Sequence, residues 1–248
     1  MLNAIKRWIS GDPPGPDWAN VATWAHSQGY GFKRAKEEEG FVLDAKFGDR
    51  PWRLEWGPPQ RAYITTHELR LRMELQLPSS LQMLIMTRSL MEMLERETFE
   101  RYTESNQTLI DVSTPEEMRW LAMFPKVNLD LPKNVRTNYG AVAAVPTTAA
   151  NWVDAELAEQ LSIAADGVLR EQPPFVLMTL RGRAYMRLQL ETPEPRAIQQ
   201  AVALFQAAAH GALRAAGTLS DAHNQDWPST ASTAWQTDIM PEEPKGHP

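Results

Sequence analysis

The chain has 248 residues, of which 43% are hydrophobic and 23% charged, the proportions of an ordinary globular protein with a sizeable core. It contains no cysteine, which removes disulfides, zinc–thiolate sites, iron–sulfur clusters and a cysteine nucleophile. Its 31 acids outnumber its 25 bases for a net charge of −6, so bulk phosphate binding is not expected. The charge is unevenly placed. From Gly217 to Pro248 there are five acids and one base, leaving the remaining 216 residues only two charges short of neutral. A local basic patch is therefore compatible with the sequence even though a global one is not.

Residues 1–16 read as a short N-terminal helix followed by a linker. Leu2, Ile5 and Ile9 fall on one face of residues 2–10, and Gly11-Asp12-Pro13-Pro14-Gly15-Pro16 breaks the pattern. Such a helix is marginal alone and must dock, on its own domain or, more weakly, on a membrane surface. No apolar core of a secretion signal follows Lys6 and Arg7, and no run of about 18 apolar residues is present, so no membrane span and a cytoplasmic address are expected.

The first α+β half is assigned to residues 17–124. Asp17 is placed to cap a helix reaching Gln28, with Gly29 at its end. The period then becomes two. Phe41, Leu43 and Ala45, then Trp52, Leu54 and Trp56, then Leu69, Leu71, Met73 and Leu75 alternate with polar residues. Strict alternation of this kind is the mark of antiparallel strands with one buried and one wet face, and it predicts a meander of four or five strands. Pro78-Ser79-Ser80 is read as the start of a long helix to Tyr102, whose methionines are taken as core. Thr114-Pro115-Glu116-Glu117 has the spacing of a capping box for a short helix over 115–123.

Residues 125–146 form a proline-punctuated connector with a weak strand signal at 139–145. A second α+β half, 147–217, is predicted to hold one helix from Thr148 to Ala164, a strand at 175–180 and a turn at Arg181-Gly182. A partner strand from Ala184 to Leu190 and a helix opened by Thr192-Pro193-Glu194-Pro195 and closed by Gly217 complete it. Arg72–Pro78 and Arg187–Pro193 align at an offset of 115 residues. That match is compatible with internal duplication of a helix–strands–helix unit. The fold class is thus α+β, an antiparallel meander packed against long helices.

Residues 218–248 are acidic and lack periodicity, so they are expected to be disordered. Trp227, Trp235, Ile239 and Met240 are nevertheless costly hydrophobes for a solubilising tail, and they are candidate contacts for another protein.

No metal or phosphate motif survives inspection. The five histidines lie at least 13 residues apart, and Thr66-His67-Glu68-Leu69-Arg70 lacks the second histidine of a zincin helix. No cofactor is called for. The one cluster with chemical potential is His67, Glu68, Arg70 and Arg72, with Arg53 and Arg61 nearby in sequence. Side by side on the wet face these groups would bind an anion or move a proton. The plainer reading is a solvated ladder of cross-strand ion pairs. Nucleic acid is not expected as a partner, because Trp52 and Trp56 alternate with Arg53 and Glu55 and so face away from the arginines. By elimination, the sequence suggests a non-catalytic adaptor or scaffold that binds another protein. The competing reading is an anion-binding domain or small-molecule enzyme using the arginine cluster.

Overall fold

A computed structural model describes residues 18–35, 39–104, 114–129 and 131–223. Asp17, the helix expected over 2–10 and the tail residues Trp227, Trp235, Ile239 and Met240 lie outside the described residues. What is described is an α+β fold built on one eight-stranded sheet, antiparallel at every pairing.

The meander forms where the alternation lies. Helix α1 (Ala19–Ser27) leads into β1 (Gly31–Arg34), β2 (Phe41–Phe47), β3 (Arg50–Gly57) and β4 (Glu68–Glu74), each paired with its predecessor. In register, Leu43 faces Leu54 and Leu54 faces Leu71. One face of these strands is therefore apolar except at its ends, where Arg34 and Arg50 fall, and Phe41, Leu43, Trp52, Leu54, Trp56, Leu69, Leu71 and Met73 are buried.

The long helix expected from Pro78 is not there. Residues Met83–Thr87 form β5, and helix α2 (Arg88–Glu104) starts only afterwards. All five β5 residues are buried. A strand covered on both faces has no wet side, so it reads as a continuous apolar run indistinguishable from a buried helix by period alone.

Helix α3 (Glu116–Met123) occupies the predicted place, but no side chain caps it, and Pro115 stands at the N-cap. The stretch between the halves supplies α4 (Lys133–Asn138) and the edge strand β6 (Tyr139–Ala143). The single helix expected over Thr148–Ala164 is instead two, α5 (Pro146–Trp152) and α6 (Ala155–Asp166). The break falls where Asp154 accepts a hydrogen bond from the Leu157 amide at 3.0 Å and starts a new helix.

Strands β7 (Phe175–Leu180) and β8 (Arg183–Gln189) form the expected hairpin. Arg181 and Gly182 have φ of +50° and +79°, the paired left-handed geometry of a tight hairpin turn. The tip also organises the link from β4 to β5, because the Gly182 carbonyl accepts from the Leu75 and Leu77 amides at 3.0 and 3.3 Å. Helix α7 runs Pro195–His223, straight through Gly217 rather than ending there.

The strand order is β1-β2-β3-β4-β8-β7-β5-β6. The stretches aligned at offset 115 are thus β4 and β8, which lie side by side with Arg70 opposite Arg187. Their likeness stops at the prolines, since a strand follows Pro78 and a helix follows Pro193.

The apolar face packs against α1, α5, α6 and α7. Alanines 201, 207, 208, 209, 212 and 215 are buried along α7, and such small side chains let neighbouring backbones come close. The opposite face is covered only in part. Over β5, β6 and β7, a second core of Leu84, Met86, Val142, Val176 and Met178 packs under α2 and α3. Over β1–β4 and β8, α3 reaches only the inner margin, beside Tyr185 and the 58–67 loop, and no described helix lies across the outer part. No described helix is long and apolar enough to cross a membrane.

Candidate functional site

The open part of this second face carries every polar alternate of five adjacent strands. Its described cations are Lys33, Lys46, Arg53, Arg70, Arg72, Arg183 and Arg187, and its anions are Asp44, Glu55, Glu68 and Glu74. The patch is therefore +3 in a chain whose formal charge is −6. Tyr185 stands among these charges, opposite Arg72.

The face has a dry inner margin and a wet outer field. At the margin, where the roof of α3 meets the open strands, two carboxylates are buried. Glu68 is 0% exposed, and its Oε1 accepts from Arg187 Nη1 at 2.5 Å. Its Oε2 accepts from the Gln60 amide at 2.7 Å and from Arg70 Nη1 at 3.4 Å. Glu117, on α3, is 1% exposed, and its Oε1 accepts from Arg61 Nε and from the Tyr63 hydroxyl, both at 2.6 Å. Buried charges survive only when paired and hydrogen-bonded in this way. Thr114-x-x-Glu117 had the spacing of a capping box, but the glutamate that would close it is turned inward onto Arg61 and Tyr63 instead. Arg61 and Tyr63 sit in the 58–67 loop, so the network fastens both loop and helix to the edge of the open face.

Electrostatics follow from these contacts. Burial alone would raise the Glu117 carboxyl, but the Arg61 guanidinium and the Tyr63 hydroxyl overcome it and hold the group below its ordinary value. Burial, with Glu117 adding to it, pushes the Tyr63 hydroxyl far up, so it stays a donor. A group held low in the folded state adds stability above its unfolded value, about 4.3 for glutamate, and loses it as pH falls through the folded value. Thermal melts should therefore be flat from neutral pH down to the carboxylate range and fall below it. Glu117→Gln should lower the plateau and flatten the acid limb. An acid limb as steep in the variant as in the parent would remove Glu117 from the explanation.

In the outer field the pairs are exposed. Arg53 grips Asp44 with Nε at 2.7 Å and Nη2 at 3.3 Å, and Lys33 joins the same carboxylate at 3.2 Å. The Arg53 hydrogen bond holds Asp44 below the usual carboxylate range. Arg183 holds Glu74 at 2.5 Å. Arg72, 57% exposed, reaches Glu55 only at 3.9 Å and is the most loosely held of the three outer arginines. Between them lies a shallow hollow lined by Asp44, Pro51, Arg53, Arg72, Glu74 and Arg183.

Of the residues singled out from sequence, Arg53, Glu68, Arg70 and Arg72 share this face, and Arg61 borders it through Glu117. His67 does not. It immediately precedes β4 and lies on the other face, its ring stacked on Trp56 at 4.4 Å and its Nε2 3.9 Å from Glu39. Sequence reasoning considered Tyr63 only as a stacking platform and Glu117 only as part of a capping box, and did not single out Asp44 as a member of this face. Among the described residues no three His, Asp or Glu side chains are grouped to hold a metal ion.

Chemically, the margin fixes charge and the outer field offers it. Glu68 has both oxygens occupied and Glu117 is held by a cation, so neither is a free base. The outer arginines, paired weakly in water, are free to trade their carboxylates for others of better geometry.

No family model matches the chain, and no curated protein matches it. Among solved structures it is similar to the crystal structure of the mycobacterial trehalose monomycolate transport factor A, TtfA. The identity is 6% over 79% of this chain and 94% of that one, with a TM-score of 0.45. A likeness of that depth says nothing about what this chain does.

Proposed function

We propose that the protein is a non-catalytic cytoplasmic interaction protein that uses the open face of β1–β4 and β8 to hold an acidic segment of another protein. The observation that carries this reading is the +3 charge of a face whose outer part no described helix covers, in a chain of net −6. Such a patch favours anionic partners by local field and speeds their encounter. Strand spacing of about 4.8 Å sets the arginines in rows that an extended acidic peptide can follow.

The test uses a fluorescent octaglutamate peptide as probe, titrated into the full chain and into an Arg53→Glu/Arg72→Glu/Arg183→Glu variant. All three positions are exposed or half-buried, so the variant should fold. Rim charges mainly tune association and salt dependence, so the triple reversal should weaken binding by about a hundredfold, and salt should weaken the parent in the same direction. Equal binding by parent and variant would remove the face from the proposal. Displacement of the peptide by millimolar inorganic phosphate would favour the competing small-anion reading, centred on the hollow between Arg53, Arg72 and Arg183.

A further inference from the structure

The open face has a second acidic candidate in the same chain. Helix α7 begins beyond the end of β8 and runs back across the apolar side of the sheet. By His210 it has reached the β2–β3 turn, where the imidazole meets the Phe47 ring edge-on at 4.6 Å. His210 and Leu213 form a groove there with Phe47, Arg50, Pro51 and Glu74. Pro51 and Glu74 also line the hollow on the open face. The groove under α7 and the arginine hollow are thus two sides of the same sheet end, and the chain leaves the described fold from that end.

The sequence continues beyond His223 for 25 residues carrying Asp226, Asp238, Glu242 and Glu243 against Lys245 alone, a charge of −3 opposite a face of +3. From Leu213 the helix carries the chain about 15 Å further at 1.5 Å per residue. The remaining residues can span up to about 80 Å, ample to turn round the sheet end and return to the hollow. The tail also carries two indoles, Trp227 and Trp235, and indole faces attract guanidinium groups.

We infer that residues 224–248 occupy the arginine hollow of their own chain, so that an acidic partner must displace the tail to bind. The inference rests on the reading of the face given above. A tethered segment acts at an effective concentration in the millimolar range. Even a weak tail contact therefore sets a threshold that a partner must exceed.

The absence of cysteine makes the test direct. A Ser232→Cys variant of the full chain carries one nitroxide label, and amide signals of residues 52–53, 72–74 and 183–185 are followed by NMR. Selective loss of those signals, unchanged on dilution and reversed by octaglutamate, is the expected result. The Arg53→Glu/Arg72→Glu/Arg183→Glu background should restore them. Signals unaffected by the label would overturn the inference, as would a loss that disappears on dilution, which would mean contact between copies. Octaglutamate binding to the same labelled chain is read independently by shifts at these amides. If octaglutamate binds there while the label has no effect, the tail inference falls and the face remains. If neither acts, both fall.

Discussion

Replacing Arg61 by methionine is expected to cost about 3–5 kcal/mol, because it leaves the Glu117 carboxylate buried without its cation. The Glu117 side chain is 1% exposed, and of its two donors only the neutral Tyr63 hydroxyl would remain. Protonation offers one escape, so the loss should be largest at neutral pH and shrink as the carboxylate is neutralised. The decisive comparison is the double variant Arg61→Met/Glu117→Leu. It removes the stranded charge together with its partner, and well-packed apolar residues at buried ion pairs are often neutral or stabilising. Urea denaturation of parent, single and double variants should show a deep loss in the single variant and substantial recovery in the double. A single variant as stable as the parent would mean that water reaches Glu117 and that the network does not fasten α3 to the open face.

A loss of similar size, about 3–5 kcal/mol, is expected from Trp152→Ala on the other side of the sheet. Trp152 is 1% exposed at the end of α5, and its indole Nε1 donates to the Ala208 carbonyl of α7 at 2.8 Å. The fit is close on both sides. A Cβ added at Gly211 would lie 2.4 Å from the Trp152 carbonyl oxygen, a backbone atom that cannot swing aside. Gly211→Ala should therefore force α5 and α7 apart and destabilise by about 1–3 kcal/mol. Trp152→Ala removes the indole Cδ1, which lies 3.1 Å from the same added Cβ, and frees the helices to readjust around the clash, so the double variant should lose less than the two losses combined. Strict additivity in thermal or urea melts would show that the helices do not meet at this point.

What was legible in the sequence divides along burial. Strands β2, β3, β4 and β8 have one wet face, so their period of two, and which residues face the core, is written in the residues. Strands β5 and β7 are both covered on two faces and carry no such period; β7 was marked by the Arg181-Gly182 turn beside it, whereas β5 has no such marker, and Met83–Thr87 passed for part of a helix. The break between α5 and α6 was signalled by Asp154, a good cap in mid-pattern, but the apolar residues Trp152, Val153, Leu157 and Leu161 masked it. At the site, alternation alone placed Arg53, Glu68, Arg70 and Arg72 on one face, and the same rule applied strictly to His67 would have put it on the other. Glu117 left a fainter trace. It stands three and four residues before Trp120 and Leu121, on the inward stripe of α3, where a charged side chain implies a partner. That the partners are Arg61 and Tyr63 depends on how the 58–67 loop meets α3, and no local pattern encodes that meeting.

The position of β8 bears on how the chain is made. Strands β1 to β4 can pair as soon as they are synthesised, but the free edge of β4 finds its neighbour only when residues 183–189 arrive. Pairing across so long a separation in sequence is slow, and in the interval β4 is a bare strand edge with Leu69, Leu71 and Met73 on one side. Waiting edges of that kind recruit other nascent chains. The residues alternating with those apolar side chains are Glu68, Arg70, Arg72 and Glu74, and charges of this kind are what deter edge-to-edge aggregation. The charged row on β4 thus guards the waiting edge during biogenesis.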